Sequence, residues 1–111
     1  MNAETILMKK IQLAATSCGG ARLLRNHVGC IRDAEGRVHH FGLAVGSSDL
    51  IGWTSQGRFL AVEVKVPGSP GHAGGRVTPQ QQAFLDAVNR AGGLGLVARS
   101  EQDLINALLQ Q

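Results

Sequence analysis

Residues 47–66 read SSDLIGWTSQGRFLAVEVKV, and the fold turns on how this stretch pairs with itself. Its second half, RFLAVEVKV (58–66), has the β-branched and aromatic content of a strand. Side chains alternate across a strand, so Leu60, Val62, Val64 and Val66 share one face, and Phe59, Ala61, Glu63 and Lys65 share the other. Glu63 and Lys65 are therefore same-face neighbours, about 6.5–7 Å apart along the strand. That face is apolar where it begins and charged where it ends, the pattern of a strand that starts in a core and emerges into a cleft. TSQG (54–57) ends on a glycine suited to the positive φ of a hairpin, and it turns the chain back toward DLIGW (49–53). A turn centred near residues 55–56 makes paired residue numbers sum to about 111–112, which puts Asp49 opposite residue 62 or 63. Adjacent strands lie about 4.8 Å apart, so Asp49 and Glu63 reach one ion if the register puts them on the same face. One extra residue in the turn reverses that face, and the residues alone leave both registers open.

Upstream, Ile6, Leu7, Ile11 and Ala14 recur at helical spacing between about Ala3 and Ala15, and SCGG (17–20) ends the helix with a left-handed glycine cap. ARLLRNHVGCIR (21–32) reads as one strand, DAEG (33–36) as a turn and RVHHFGLA (37–44) as the next strand. Downstream, PGSPGHAGGR (67–76) is a glycine- and proline-rich loop. Thr78 is a good N-cap, Pro79 suits the first helical position, and Gly92 or Gly93 stops that helix. LGLVA (94–98) is a short buried strand, and EQDLINALLQ (101–110), capped by Ser100, is a closing amphipathic helix. A strand–helix–strand crossover sets LGLVA parallel to a strand of an antiparallel meander of three or four. The expected fold is α/β: a mixed β-sheet flanked by helices, in the order α-β-β-β-α-β-α, forming one domain over residues 1–111.

The 111 residues are 43% hydrophobic and 17% charged, which fits a globular domain, and only 4% are aromatic, so the core is aliphatic. No apolar run is long enough to cross a bilayer and the first residues lack the pattern of a secretory signal, so a cytoplasmic protein with no membrane partner is expected. Cys18 and Cys30 are too few for a disulfide scaffold and match no zinc spacing. Net charge is +3, and eight of the eleven basic residues are arginine, the side chain that forks best onto phosphate. That balance is compatible with nucleic acid and equally with an ordinary basic surface. His39 and His40 are adjacent on a strand, face opposite ways and cannot share an ion.

Two carboxylates brought together repel, and one takes up a proton unless a cation intervenes. Magnesium binds where a few carboxylates and waters are completed by phosphate, and there it polarises a phosphoryl oxygen. Lys65 stands ready to orient the attacking water or to stabilise charge building on the phosphorus oxygens. The plainer alternative is a half-exposed strand bearing Glu and Lys, preceded by a turn aspartate.

An acid, a hairpin and then E-x-K is the pattern of the PD-(D/E)XK nucleases, which this chain resembles in Asp49 and Glu63-Val64-Lys65. Within that superfamily it resembles the virus-type replication-repair nucleases (VRR-NUC). The likeness lies in RNHVG (25–29), GSSDL (46–50), VEVK (62–65) and TPQQQ (78–82), in that order, and runs from about Glu4 to Val97. The resemblance implies a restriction-endonuclease-like fold and a Mg2+- or Mn2+-dependent endodeoxyribonuclease. Asp49, Glu63 and the Val64 carbonyl would be metal ligands and Lys65 the catalytic lysine. Gln81 and Glu4 match further active-site positions. Stand-alone members resemble Holliday-junction resolvases, which implies nicking of branched DNA by a homodimer, with a non-catalytic DNA-binding module as the alternative. Ser48 departs from the pattern, because the family usually has proline before the acid; the loss should affect rigidity more than chemistry.

Two of these positions have plainer explanations. Thr78-Pro79-Gln80-Gln81 is a capping box in which Gln81 bonds back to the Thr78 amide, and one rotamer is not expected to serve both cap and active site fully. Glu4 is also an ordinary first-turn acid favoured by the helix dipole. Arg25, Arg76 and His72 are the expected DNA contacts, the last two from a loop that moves over the substrate.

Overall fold

The computed structural model describes residues 1–68 and 75–111. The elements are α1 (Ala3–Gly19), β1 (Arg22–Arg25), β2 (Gly29–Arg32), β3 (Val38–Phe41), β4 (Leu50–Trp53), β5 (Phe59–Val64), α2 (Pro79–Arg90), β6 (Leu94–Ala98) and α3 (Glu101–Leu109). The main sheet has the order β1-β4-β5-β6, with β6 parallel to β5 and the other pairs antiparallel. It is the expected mixed sheet flanked by helices.

Among the described residues five strands precede α2, where three or four were expected. ARLLRNHVGCIR is not one strand: β1 ends at Arg25, and β2 starts at Gly29 in a separate two-stranded sheet with β3. The break comes at Asn26, whose side chain bonds to the Ser47 hydroxyl and the Ser48 carbonyl instead of continuing an extended run. β1 then pairs with β4, and the β2–β3 hairpin is an arm inserted between the two. α1 also runs four residues past Ala15, to Gly19, before Gly20 caps it at φ 62°. Gly19 lets α1 and α3 approach closely, since a Cβ there would meet Leu108 Cδ1 at 2.5 Å and push that side chain aside.

The β4–β5 turn settles the register. The Thr54 N–H donates to the Arg58 carbonyl at 2.8 Å, and Gly57 takes φ 84°, so three residues close the loop. A three-residue loop with a left-handed glycine is a favoured hairpin connection. Leu50 then pairs with Val62 and Trp53 with Phe59, and the same register carried one step further sets Asp49 opposite Glu63. The DAEGR turn of the arm repeats the device: the Asp33 N–H donates to the Arg37 carbonyl at 2.9 Å, and Gly36 has φ 82°.

The alternation along β5 divides the core in two. Leu60, Val62 and Val64 join Leu23, Leu50 and Ala98 under Met8, Ile11 and Ala15 of α1 and Leu104 and Leu108 of α3. Ala61, on the other face, packs with Val97 under Phe84, Leu85 and Val88 of α2. Glu63 and Lys65 lie on the α2 face, beyond its apolar part.

Gly52 has no room for a side chain, since an added Cβ would collide with the Arg22 carbonyl oxygen on the neighbouring strand. Gly52→Ala should therefore lower the thermal midpoint by about 10 °C or more, from an overpacking cost of about 2–3 kcal/mol or above. A melting curve checks it; a midpoint like that of the unaltered protein would contradict the close β1–β4 approach.

Candidate active site

Asp49 sits just before β4, Glu63 lies at the end of β5, and Lys65 is the first residue beyond it. The Asp49 Oδ2 accepts the Val64 N–H at 2.9 Å, so this carboxylate is anchored on β5 beside Glu63. Glu63 is buried, at 2% exposure, and Lys65 nearly so, at 7%. The Lys65 Nζ lies 3.7 Å from Glu63 Oε1, an ion pair too long for a good hydrogen bond. Glu63 Oε2 is buried with no hydrogen-bond partner among the described residues.

Gln81 reaches the same carboxylate from α2. Its Nε2 donates to Glu63 Oε1 at 3.1 Å, while its Oε1 accepts the Thr78 N–H at 3.0 Å. The Gln81 N–H in turn donates to the Thr78 hydroxyl at 3.1 Å, which completes the capping box. The expectation that one rotamer must choose between cap and site is thus corrected. An amide has an acceptor at one end and a donor at the other, and Gln81 uses one for each task.

These neighbours set the ionisation of Glu63. Burial pushes its pKa up to about 8, the nearby Asp49 carboxylate pushes the same way, and Lys65 only partly offsets them. An acid held at about 8 with an orphaned oxygen is short of positive charge. A divalent cation would supply it.

Asp49 and Glu63, with the Val64 carbonyl adjacent in the chain, fit a small hard ion, which needs only one or two carboxylates plus water and phosphate oxygens. No third His, Cys, Asp or Glu joins them among the described residues. Glu4 is exposed on the first turn of α1 and is not brought to the pair. Arg25 is exposed where β1 pairs with Leu50, one residue from Asp49 in the chain, and Arg76 is exposed ahead of α2. His72 lies outside the described residues. His39 bonds Asp33 at 2.8 Å on the arm, away from any ion site. Asn26 sits behind Asp49 and was assigned no role from the sequence; its signals were an asparagine interrupting an apolar strand and its place within RNHVG.

Asp49, ahead of one strand, thus faces Glu63 and Lys65 at the close of the next, across a mixed sheet. The VRR-NUC domain model matches residues 6–102, and the chain belongs to that family, with its restriction-endonuclease-like fold. The family is one of nucleases acting on DNA and generally using divalent metals. Comparison with curated proteins and with solved structures found no match. No helix among the described residues is long and apolar enough to cross a membrane.

The raised pKa has a thermodynamic consequence. Folded Glu63 keeps its proton up to about pH 8, whereas an unfolded glutamate releases it near 4.5. Between those values the unfolded state binds fewer protons, so stability falls as pH rises. In EDTA the thermal midpoint should drop from pH 5 to pH 8. Mn2+ should restore it, most strongly at the alkaline end, and Glu63→Gln should flatten both effects. A midpoint in EDTA that rises over this range would refute the assigned burial of Glu63.

Proposed function

We propose that the protein is a Mg2+- or Mn2+-dependent, structure-selective endodeoxyribonuclease that hydrolyses phosphodiester bonds and nicks branched DNA such as Holliday junctions. It would act as a homodimer, inside the cell, through a single domain spanning residues 1–111. One observation carries the reading: Asp49 and Glu63 converge, with a buried carboxylate oxygen that has no partner among the described residues and Lys65 at 3.7 Å.

Asp49, Glu63 and the Val64 carbonyl would hold the ion. An ion held there would cancel the repulsion of the pair and polarise a phosphoryl oxygen. Lys65 is confined by its burial and placed on the same face as Glu63, so it would orient the attacking water and then oppose negative charge growing on the phosphate. Gln81 holds the Glu63 carboxylate through Oε1, and Oε2, without a partner among the described residues, would be left to take the ion. Arg25 and Arg76, both exposed, would meet backbone phosphates, as would His72. A homodimer would present two such centres to a symmetric junction.

The test is nicking of a four-way junction and of a linear duplex, with Mg2+, Mn2+ or EDTA, by the protein and by Asp49→Asn and Lys65→Ala. Metal-dependent nicking that favours the junction is expected, with Lys65→Ala slower by about 10²–10³-fold while junction binding is kept. Salt-sensitive binding with no cleavage under any metal would instead favour a DNA-binding module. Cleavage by Lys65→Ala at the rate of the unaltered protein would overturn the assigned chemistry.

A further inference from the structure

Asn26 makes a set of bonds that the proposed chemistry does not use. Its backbone N–H donates to the Asp49 carbonyl at 2.8 Å. Its Nδ2 donates to the Ser47 hydroxyl at 2.8 Å and to the Ser48 carbonyl at 2.9 Å. Its Oδ1 accepts the Leu43 N–H at 3.2 Å. Every hydrogen-bonding group of the amide is thus occupied, and the partners are the exit of the β2–β3 arm and the two residues that lead into Asp49. On the other flank the hydroxyl of Ser48, itself 1% exposed, donates to the Leu50 carbonyl at 2.9 Å.

We propose that Asn26 is a positioning residue for Asp49: it fixes the peptides on either side of that acid so that the carboxylate is presented to the cation at a set place. The inference rests on the metal-dependent reading of the site above. A carboxylate holds an ion well only if its backbone does not wander. Proline would stiffen this approach by fixing φ, and Ser48 does not. Hydrogen bonds converging from Asn26 and Ser48 do the same work here. Asn26 touches neither cation nor phosphate; it acts through Asp49, as outer partners act on metal ligands generally.

A merely structural role would lower stability without moving metal affinity, and this separates the two. Mn2+ is titrated into the full chain without DNA, followed by its paramagnetic resonance signal, alongside thermal melting. Asn26→Ala should weaken Mn2+ binding by about 10-fold. Ser47→Ala, which removes one of the bonds, should weaken it by less. Asn89→Ala is the control. Asn89 also uses both ends of its amide, through Nδ2 to the Gly95 carbonyl at 3.0 Å and from the Gly95 N–H at 2.8 Å, but between α2 and β6. It should melt earlier and bind Mn2+ as the unaltered protein does. On junction DNA, Asn26→Ala should lower kcat and leave KM near its original value.

Mn2+ affinity of Asn26→Ala within about twofold of the original would overturn the role. If Asn26→Ala does not fold, Ser47→Ala decides, and unchanged affinity there overturns it equally. An unaltered protein that fails to bind Mn2+ would show that the metal reading itself is wrong, and this role would fall with it.

Discussion

Two carboxylates face each other across β4 and β5, and one of them is almost fully sealed from water. Such a pair cannot carry both negative charges at neutral pH without a compensating group. Lys65 lies close enough to help and too far to finish the task, and Gln81 offers a dipole in place of a charge. The surroundings of Glu63 follow from that deficit. They hold the acid in place, exclude solvent from it and, among the described residues, leave one oxygen unsatisfied. An arrangement that costs stability in the free protein is coherent where binding a cation relieves it.

The geometry that creates the pair is set some distance away. Thr54 and Arg58 close a three-residue loop, and that length alone decides whether Asp49 meets Glu63 or passes it on the far side. The two cores depend on the same parity. The aliphatic face of β5 feeds the larger core beneath α1 and α3, and the alternate residues begin beneath α2 and end at the acid and the lysine. α2 contributes twice, covering Ala61 with Leu85 and Val88 and bringing Gln81 over Glu63 from its first turn.

Much of this could be read from the residues. The alternation of RFLAVEVKV separates core from site, and the glycine of TSQG limits the hairpin to two registers. Choosing between them needed the backbone bonds of the turn, because both loop lengths suit the same four residues. The helix start at Thr78-Pro79 was legible for the same reason that Gln81 was misjudged: a capping box is a local pattern, whereas its contact with Glu63 spans 18 positions. The arm was missed because LLRNHVGCI keeps strand-like composition throughout. What divides it is the pull of Ser47 and Ser48 on Asn26, partners 21 and 22 residues away. Glu4 shows the reverse case, a residue of suitable type and order that folding leaves in solvent.

The double engagement of Gln81 narrows what this position can accept. A capping box works with glutamate or glutamine, since either offers an oxygen to the backbone amide. Here the far end of the side chain must also give a hydrogen to a buried acid, which glutamate does not do when ionised. Of the two residues a capping box accepts, glutamine alone offers both the oxygen and the hydrogen, and the demand for the second comes from β5, 18 positions upstream of it.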